Sequence, residues 1–229
     1  MPVNRMVMPR NMGAWGFAAE SGTTFAGEIT ATTIMGLSGG GYEAGARLEV
    51  EDTASGGFFG APLYPGLAFS TLLTMFYTTL KEVGDTAPMP TLQFNIAADV
   101  TDAQHNQTWQ GRMVYEPYLT EAATPAGVWT RWNVMHGAGW WFTKAPLSTF
   151  AGPDSPKSMA QILAAYPHMG INANPALALC CFKAGSGWNK FIGYVAEWCL
   201  AAPQWPTVVE RWWFAPTTDF GNYYGYIDT

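Results

Sequence analysis

Charge is scarce in this chain. Only 12% of its 229 residues are Asp, Glu, Lys or Arg, about half the usual share. Basic residues are the scarcer sign, 11 against 17 acidic ones, giving a formal charge of −6. A general nucleic-acid binder needs a basic footprint to neutralise phosphates, so nucleic acid is not an expected partner. A disordered chain would be apolar-poor and charge-rich; this one is 48% hydrophobic and 15% aromatic. Long apolar runs are missing too. The longest charge-free stretch, residues 53–80, is interrupted by Pro62, Pro65 and several glycines. A membrane-spanning helix needs about 20 apolar residues, so no membrane insertion is expected. The segment from Met1 to Met6 has no apolar run, so no secretory signal is visible.

Cysteine is limited to Cys180, Cys181 and Cys199. The first two are adjacent and would face opposite sides of a strand. A hairpin turn is expected at Gly185-Ser186-Gly187, pairing Lys183 with Lys190 and setting Cys180 opposite Gly193. Cys199 then lies roughly 20 Å further along, beyond disulfide reach. Three free, mostly buried thiols are the expectation.

The hydrophobic pattern has period two over most of the length. Leu48 and Val50 alternate with Arg47, Glu49 and Glu51. Leu92, Phe94, Ile96, Ala98 and Val100 alternate with Gln93, Asn95, Ala97 and Asp99. Further strands are expected at residues 15–20, 25–34, 67–80, 109–118, 128–134, 139–143, 177–183, 190–200 and 207–214. In the segment 109–118, Trp109, Met113 and Tyr115 would share one face against Gln110, Arg112 and Glu116. The Gly-rich stretches 39–41 and 55–60 read as loops. One helix is expected, over about 158–166: Met159, Ile162, Leu163 and Tyr166 share a face, Ser158 and Gln161 form a capping box, and Pro167 stops it. The pattern predicts an all-β, jelly-roll-like antiparallel β-sandwich spanning residues 1–200. A C-terminal extension, 201–229, would pack on the sandwich or on a neighbouring subunit.

The order and spacing of several segments carry a family resemblance. They are Trp109-Gln110-Gly111-Arg112-Met113-Val114-Tyr115-Glu116-Pro117-Tyr118, Val128-Trp129-Thr130-Arg131-Trp132, Trp140-Trp141, Ile162-Leu163-Ala164-Ala165-Tyr166-Pro167, Lys183-Ala184-Gly185-Ser186-Gly187-Trp188 and Phe191-Ile192-Gly193-Tyr194-Val195. Over residues 13–200 the chain resembles bacterial secreted β-sandwich proteins of unknown function. The resemblance implies a jelly-roll similar in outline to concanavalin-like lectin domains. Two features depart from it. Ala196, not an acid, follows Gly193-Tyr194-Val195, with Glu197 next; and the family's export signal is not visible. A surface-type domain without an export route suits a virion surface or another extracellular assembly.

Catalytic and metal motifs are not evident. His105, His136 and His168 lie in separate loop-like regions without zinc-ligand spacing. Asn95, Asp99 and Asp102 raise the question of calcium near Asp99/Asp102, but turn chemistry accounts for them. No strand carries the paired acids of a glycosidase; Glu116 stands between Tyr115 and Pro117 with no evident partner. No catalytic residue, metal site or cofactor is expected.

The aromatic doublets Phe58-Phe59, Trp140-Trp141, Trp212-Trp213 and Tyr223-Tyr224 are the informative feature. Neighbours on a strand point to opposite faces, so one ring of each pair enters the core and the other faces out. Trp129 and Trp132, three apart, also split. The outward rings are covered by the chain itself, by other copies, or by sugar rings. Trp140, Trp141, Trp188, Trp212, Trp213, Tyr223 and Tyr224 are therefore the candidate interface or ligand platform. The first expectation is a non-catalytic structural protein assembling through aromatic faces into a virion shell or extracellular coat, by self-association or with other coat proteins. The alternative is a lectin-like carbohydrate-binding module, with Trp140 or Trp141 joined by Trp188 and by Asn189 or Gln110. A glycan-cleaving enzyme is the third.

Overall fold

The computed structural model describes residues 3–7, 12–20, 23, 25–31, 44–84, 89–121, 124–144, 152–185, 187–202 and 209–214. Within them, in chain order, the strands are β1 (Val3–Val7), β2 (Gly16–Ala19), β3 (Ala26–Ala31), β4 (Ala44–Val50), β5 (Gly56–Ala61), β6 (Thr74–Val83), β7 (Thr91–Ala97), β8 (Arg112–Tyr115), β9 (Thr130–Asn133), β10 (Trp140–Phe142), β11 (Gly170–Ile171), β12 (Cys180–Gly185), β13 (Phe191–Ala201) and β14 (Val209–Phe214). The helix α1 (Met159–Ala165) starts at the expected Ser158/Gln161 capping box, with both reciprocal hydrogen bonds formed.

Two sheets face each other, and the fold is a β-sandwich. The first is built around β13, which pairs with β6 along one edge. On its other edge it pairs with β4 through Phe191–Val195 and then with β14 through Glu197–Ala201. β3 adds to β4, β9 to β6, and β1 to β14. The β1–β14 pair is parallel; the other pairs are antiparallel. The second sheet runs β10-β8-β7-β12-β5-β2, with β11 also on β7.

The interior is mainly aromatic. Phe182 and Trp198 meet edge-on at 6.3 Å across the two sheets, Trp15 stacks on Phe59 at 4.9 Å, and Tyr115 packs on Trp140 at 4.9 Å. Such tilted and edge-on pairs suit the ring quadrupoles and seal the gap between sheets. β13 reaches this core from both halves because of a bulge. Val195 stands opposite Thr79 and Glu197 opposite Thr78, leaving Ala196 as the extra residue. The bulge resets the alternation, so Val195 and Trp198 both enter the core while Glu197 does not. Glu197 is fully buried nonetheless, on the Arg131 guanidinium at 3.0 Å.

Several sequence expectations are corrected here. The Gly185–Gly187 turn is not a hairpin: β12 pairs with β5 and β7 in the second sheet, while β13 lies in the first. Lys183 stands opposite Phe58 and Thr91, not Lys190, and Cys180 stands opposite Ala61 and Phe94, not Gly193. Residues 56–61 are a strand, not a loop, because Gly57 and Gly60 let neighbouring groups close in: a Cβ on Gly60 would come within 2.6 Å of the Cys181 Cβ. The stretch 67–80 is a 3₁₀ turn (Phe69–Thr71) followed by β6. Residues 39–41 lie outside the described residues. The three cysteines are buried and form no disulfide among the described residues, as expected.

Candidate ligand-binding groove

The second sheet has one face in the core and one face out. Phe59, Phe182, Leu92, Phe94, Met113, Tyr115, Trp140 and Phe142 belong to the core. Alternation therefore sends Phe58, Lys183, Thr91, Gln93, Asn95, Arg112, Val114 and Trp141 to the outer face. Strand register sets these side chains in rows. Lys183 stands between Phe58 and Thr91; Cys181, Gln93, Val114 and Trp141 form the next row; Asn95 and Arg112 form the third. From Thr91 to Asn95 is four residues, about 13 Å along the strand.

These rows floor a groove of about 550 Å³, within the range of small-ligand sites. Its two ends are aromatic. Trp109 precedes β8, and Tyr118 follows it in the 3₁₀ turn Pro117–Leu119. Trp188 follows β12 and stands at the Tyr118 end, edge-on to Phe191 at 4.7 Å. Trp141, on β10, forms the side.

The polar groups are held in place. Arg112 Nε donates to Asn95 Oδ1 at 3.2 Å, and its guanidinium lies 5.5 Å from the Phe58 ring centre. Trp109 Nε1 donates to the same Asn95 oxygen at 3.3 Å. Lys183 Nζ forms an ion pair with Glu20 Oε1 at 2.8 Å. The Tyr118 hydroxyl donates to Glu116 Oε2 at 3.0 Å. The Trp141 N–H approaches the same carboxyl but falls short of hydrogen-bond geometry. Burial raises the Glu116 carboxyl above its ordinary value, and Tyr118, Trp141 and Lys183 pull only partly against it.

The candidate platform residues divide. Trp141 and Trp188 line the groove. Trp140 does not: it is fully buried, and its N–H donates to the Val134 carbonyl at 2.8 Å. Trp212 is also turned inward, donating to the Tyr64 hydroxyl at 2.9 Å and packing 5.6 Å from Trp15. It stands opposite Trp198 in the β13–β14 register, and Trp198 is a core residue. Trp213 stands opposite Glu197 in that register, and its side chain lies outside the described residues, as do Tyr223 and Tyr224. Trp129 and Trp132 split as expected: Trp132 joins the core, and Trp129 joins Leu80, Tyr194 and Ala196 in a smaller cluster on the outer face of the first sheet.

The polar partners Asn189 and Gln110 are not in the groove lining. Gln110 instead accepts the Ala98 N–H at 3.0 Å and donates to the His105 carbonyl. Asp99 and Asp102 cap their own turns, accepting from Thr101 and from Gln104 and His105.

Sequence reasoning passed over Trp109, Gln93, Arg112, Lys183 and Glu20. The alternation of β7, β8 and β12 puts three of these outward. Trp109 escapes that logic because Gly111, at φ +110°, breaks the strand before it. Its indole thus sits beside Arg112, not with Met113 and Tyr115.

No family model matches the sequence, and no curated protein matches it. Among solved structures, the chain is similar to the family 11 carbohydrate-binding module of a cellulosomal cellulase of Clostridium thermocellum, with TM-score 0.41 and 12% identity over 80% of this chain and 85% of that one. A family 11 module of the same organism, solved in complex with a β-1,3-1,4-mixed-linked tetrasaccharide, gives TM-score 0.38 and 15% identity over 80% and 86%. The enzymatically active domain of bacteriophage CBA120 tailspike protein 4 gives TM-score 0.35 and 12% identity, over 81% of this chain and 19% of that one.

Proposed function

We propose that this chain is a non-catalytic carbohydrate-binding module and that the groove on the outer face of the second sheet holds the sugar. One observation carries the reading. Trp109, Trp141, Trp188 and Tyr118, from separate segments, converge with Gln93, Arg112, Lys183 and Glu116 on a single groove. A pyranose has C–H faces that pack on flat rings and a rim of hydroxyls that need donors and acceptors. This lining offers both. At about 13 Å between its end rows, the floor is longer than one sugar ring.

Two observations support binding without cleavage and without packing of copies through the first sheet. The groove acids Glu20 and Glu116 arise at strands four places apart in the sheet order, a backbone separation of about 19 Å. Lys183 stands between them, bonded to Glu20 and acting electrostatically on Glu116. Glycosidase carboxyls flank one scissile bond as an acid–base or acid–nucleophile pair, whereas here Glu20 is held in an ion pair with Lys183. On the outer face of the first sheet, Trp129, Tyr194, Leu80 and Ala196 are covered by one another and by the chain itself.

The test is a broad glycan array followed by titration calorimetry. At least one oligosaccharide binds, Trp141→Ala and Trp188→Ala each weaken it at least about tenfold with the β circular-dichroism signal retained, and the bound glycan is recovered intact. Silence across the array overturns the reading.

A further inference from the structure

The groove is not electrically uniform. At its Trp188 end, Lys183 lies between the carboxylates of Glu20 and Glu116. At its Trp109 end the charges among the described residues are of one sign. Among the described residues Arg112 bonds the neutral amide oxygens of Asn95 and, at 3.5 Å, Gln93. Lys144 Nζ lies 5.1 Å from the Trp109 ring centre and donates to the Trp109 carbonyl at 3.4 Å. Among the described residues neither cation has a carboxylate partner. Asp99 and Asp102, on the loop after β7, spend their carboxylates on Thr101, Gln104 and His105.

This juxtaposition is held by the backbone. Gly111 has φ +110°, and a Cβ there would lie 3.0 Å from the Lys144 Cβ. The missing side chain lets Lys144 close over the same indole that Asn95 ties to Arg112. Two of the chain's 11 cations thus gather at one end of the groove, Lys144 on the Trp109 ring and Arg112 on the Asn95 oxygen that Trp109 shares, in a protein of net charge −6.

We propose that the Arg112 end of the groove is a subsite for a carboxylate-bearing sugar, a uronate, stacked on Trp109 with its carboxylate on the Arg112 guanidinium. This rests on the carbohydrate reading above and adds the ligand's charge and its direction in the groove. A guanidinium presents paired donors that match a planar carboxylate, whereas an ammonium acts as a point charge. Asn95 already fixes one edge of Arg112, so little ordering entropy remains to be lost on binding.

The test uses matched probes: oligomers of galacturonate, glucuronate and mannuronate, each as the free acid and as its methyl ester, beside the neutral β-1,3-1,4-mixed-linked tetrasaccharide. Calorimetry on the full chain is expected to show at least one free acid binding about tenfold or more tighter than its ester, the size of one charge-assisted hydrogen bond. Added salt narrows the gap. Arg112→Gln removes it, Arg112→Lys restores part of it, and Lys144→Gln, at an exposed position, reduces it without touching the fold. Binding of neutral glycans with no preference for any acid overturns this inference and leaves the carbohydrate reading standing. A preference that survives Arg112→Gln also overturns it. Binding of no glycan of either kind overturns both.

Discussion

Trp140 and Trp141 are consecutive, yet their loss would remove different things. Trp140 is wholly buried, hydrogen-bonded to Val134 and packed on Tyr115 and Phe94. Trp140→Ala is expected to cost about 3–5 kcal/mol of stability in urea unfolding. Trp141→Ala opens no core cavity and is expected to cost less than about 1.5 kcal/mol, its effect falling on ligand affinity. Glu116 adds a pH dependence. Its folded carboxyl holds a proton more tightly than the unfolded one does, because burial disfavours the charge. The stability linked to that proton is present at low pH and is lost as pH rises from the ordinary carboxyl value through the raised one. Glu116→Gln, which stays uncharged and can still accept from Tyr118, should therefore raise the thermal midpoint relative to wild type at pH 7 and leave it unchanged near pH 4. Equal midpoints at both pH values would contradict the assignment.

Among elements, the end of β12 is the most constrained. Gly185 has φ +111°, and a Cβ there would stand 2.3 Å from the Gly56 Cα. Backbone cannot yield as a flexible side chain does. Gly185→Ala is expected to cost at least about 2 kcal/mol, measured by denaturant titration, and to loosen the link by which the chain leaves the second sheet for the first. The helix is a milder case. Ser158→Ala removes the N-cap and should cost about 1 kcal/mol. It leaves the groove untouched, since α1 contributes no residue to its lining. The β13 bulge acts on the largest area of core: one extra residue, Ala196, lets both halves of an 11-residue strand present large side chains inward.

For the whole molecule, the thiols report on cooperativity. Burial pushes Cys181 up to about 11 and Cys180 well above the thiol range. A thiolate is the reactive form, so the native protein should label slowly with a thiol reagent at pH 8, and denaturant should release three equivalents in a single transition. Fast labelling of any one cysteine in native buffer would show that the sandwich opens locally at that strand. The interior explains the expectation: Cys180 and Cys181 lie on a central strand of the second sheet and Cys199 on the central strand of the first.

The fold class, the capped helix, the buried cysteines and the splitting of Phe58-Phe59 and Trp140-Trp141 across their strands were all legible in the amino-acid order. Each follows from local geometry: period two, a capping box, opposed neighbours. Which strands are neighbours was not legible. The Gly185–Gly187 turn has hairpin composition, yet the chain changes sheets there, because β5 and β7 already flank β12. That choice places Lys183 beside Thr91 and Phe58 and so builds the groove floor. The inward turn of Trp212 and the meeting of Trp109, Arg112 and Lys144 have the same origin. Alternation says that a side chain points up or down, but only the packed sheets decide what stands next to it.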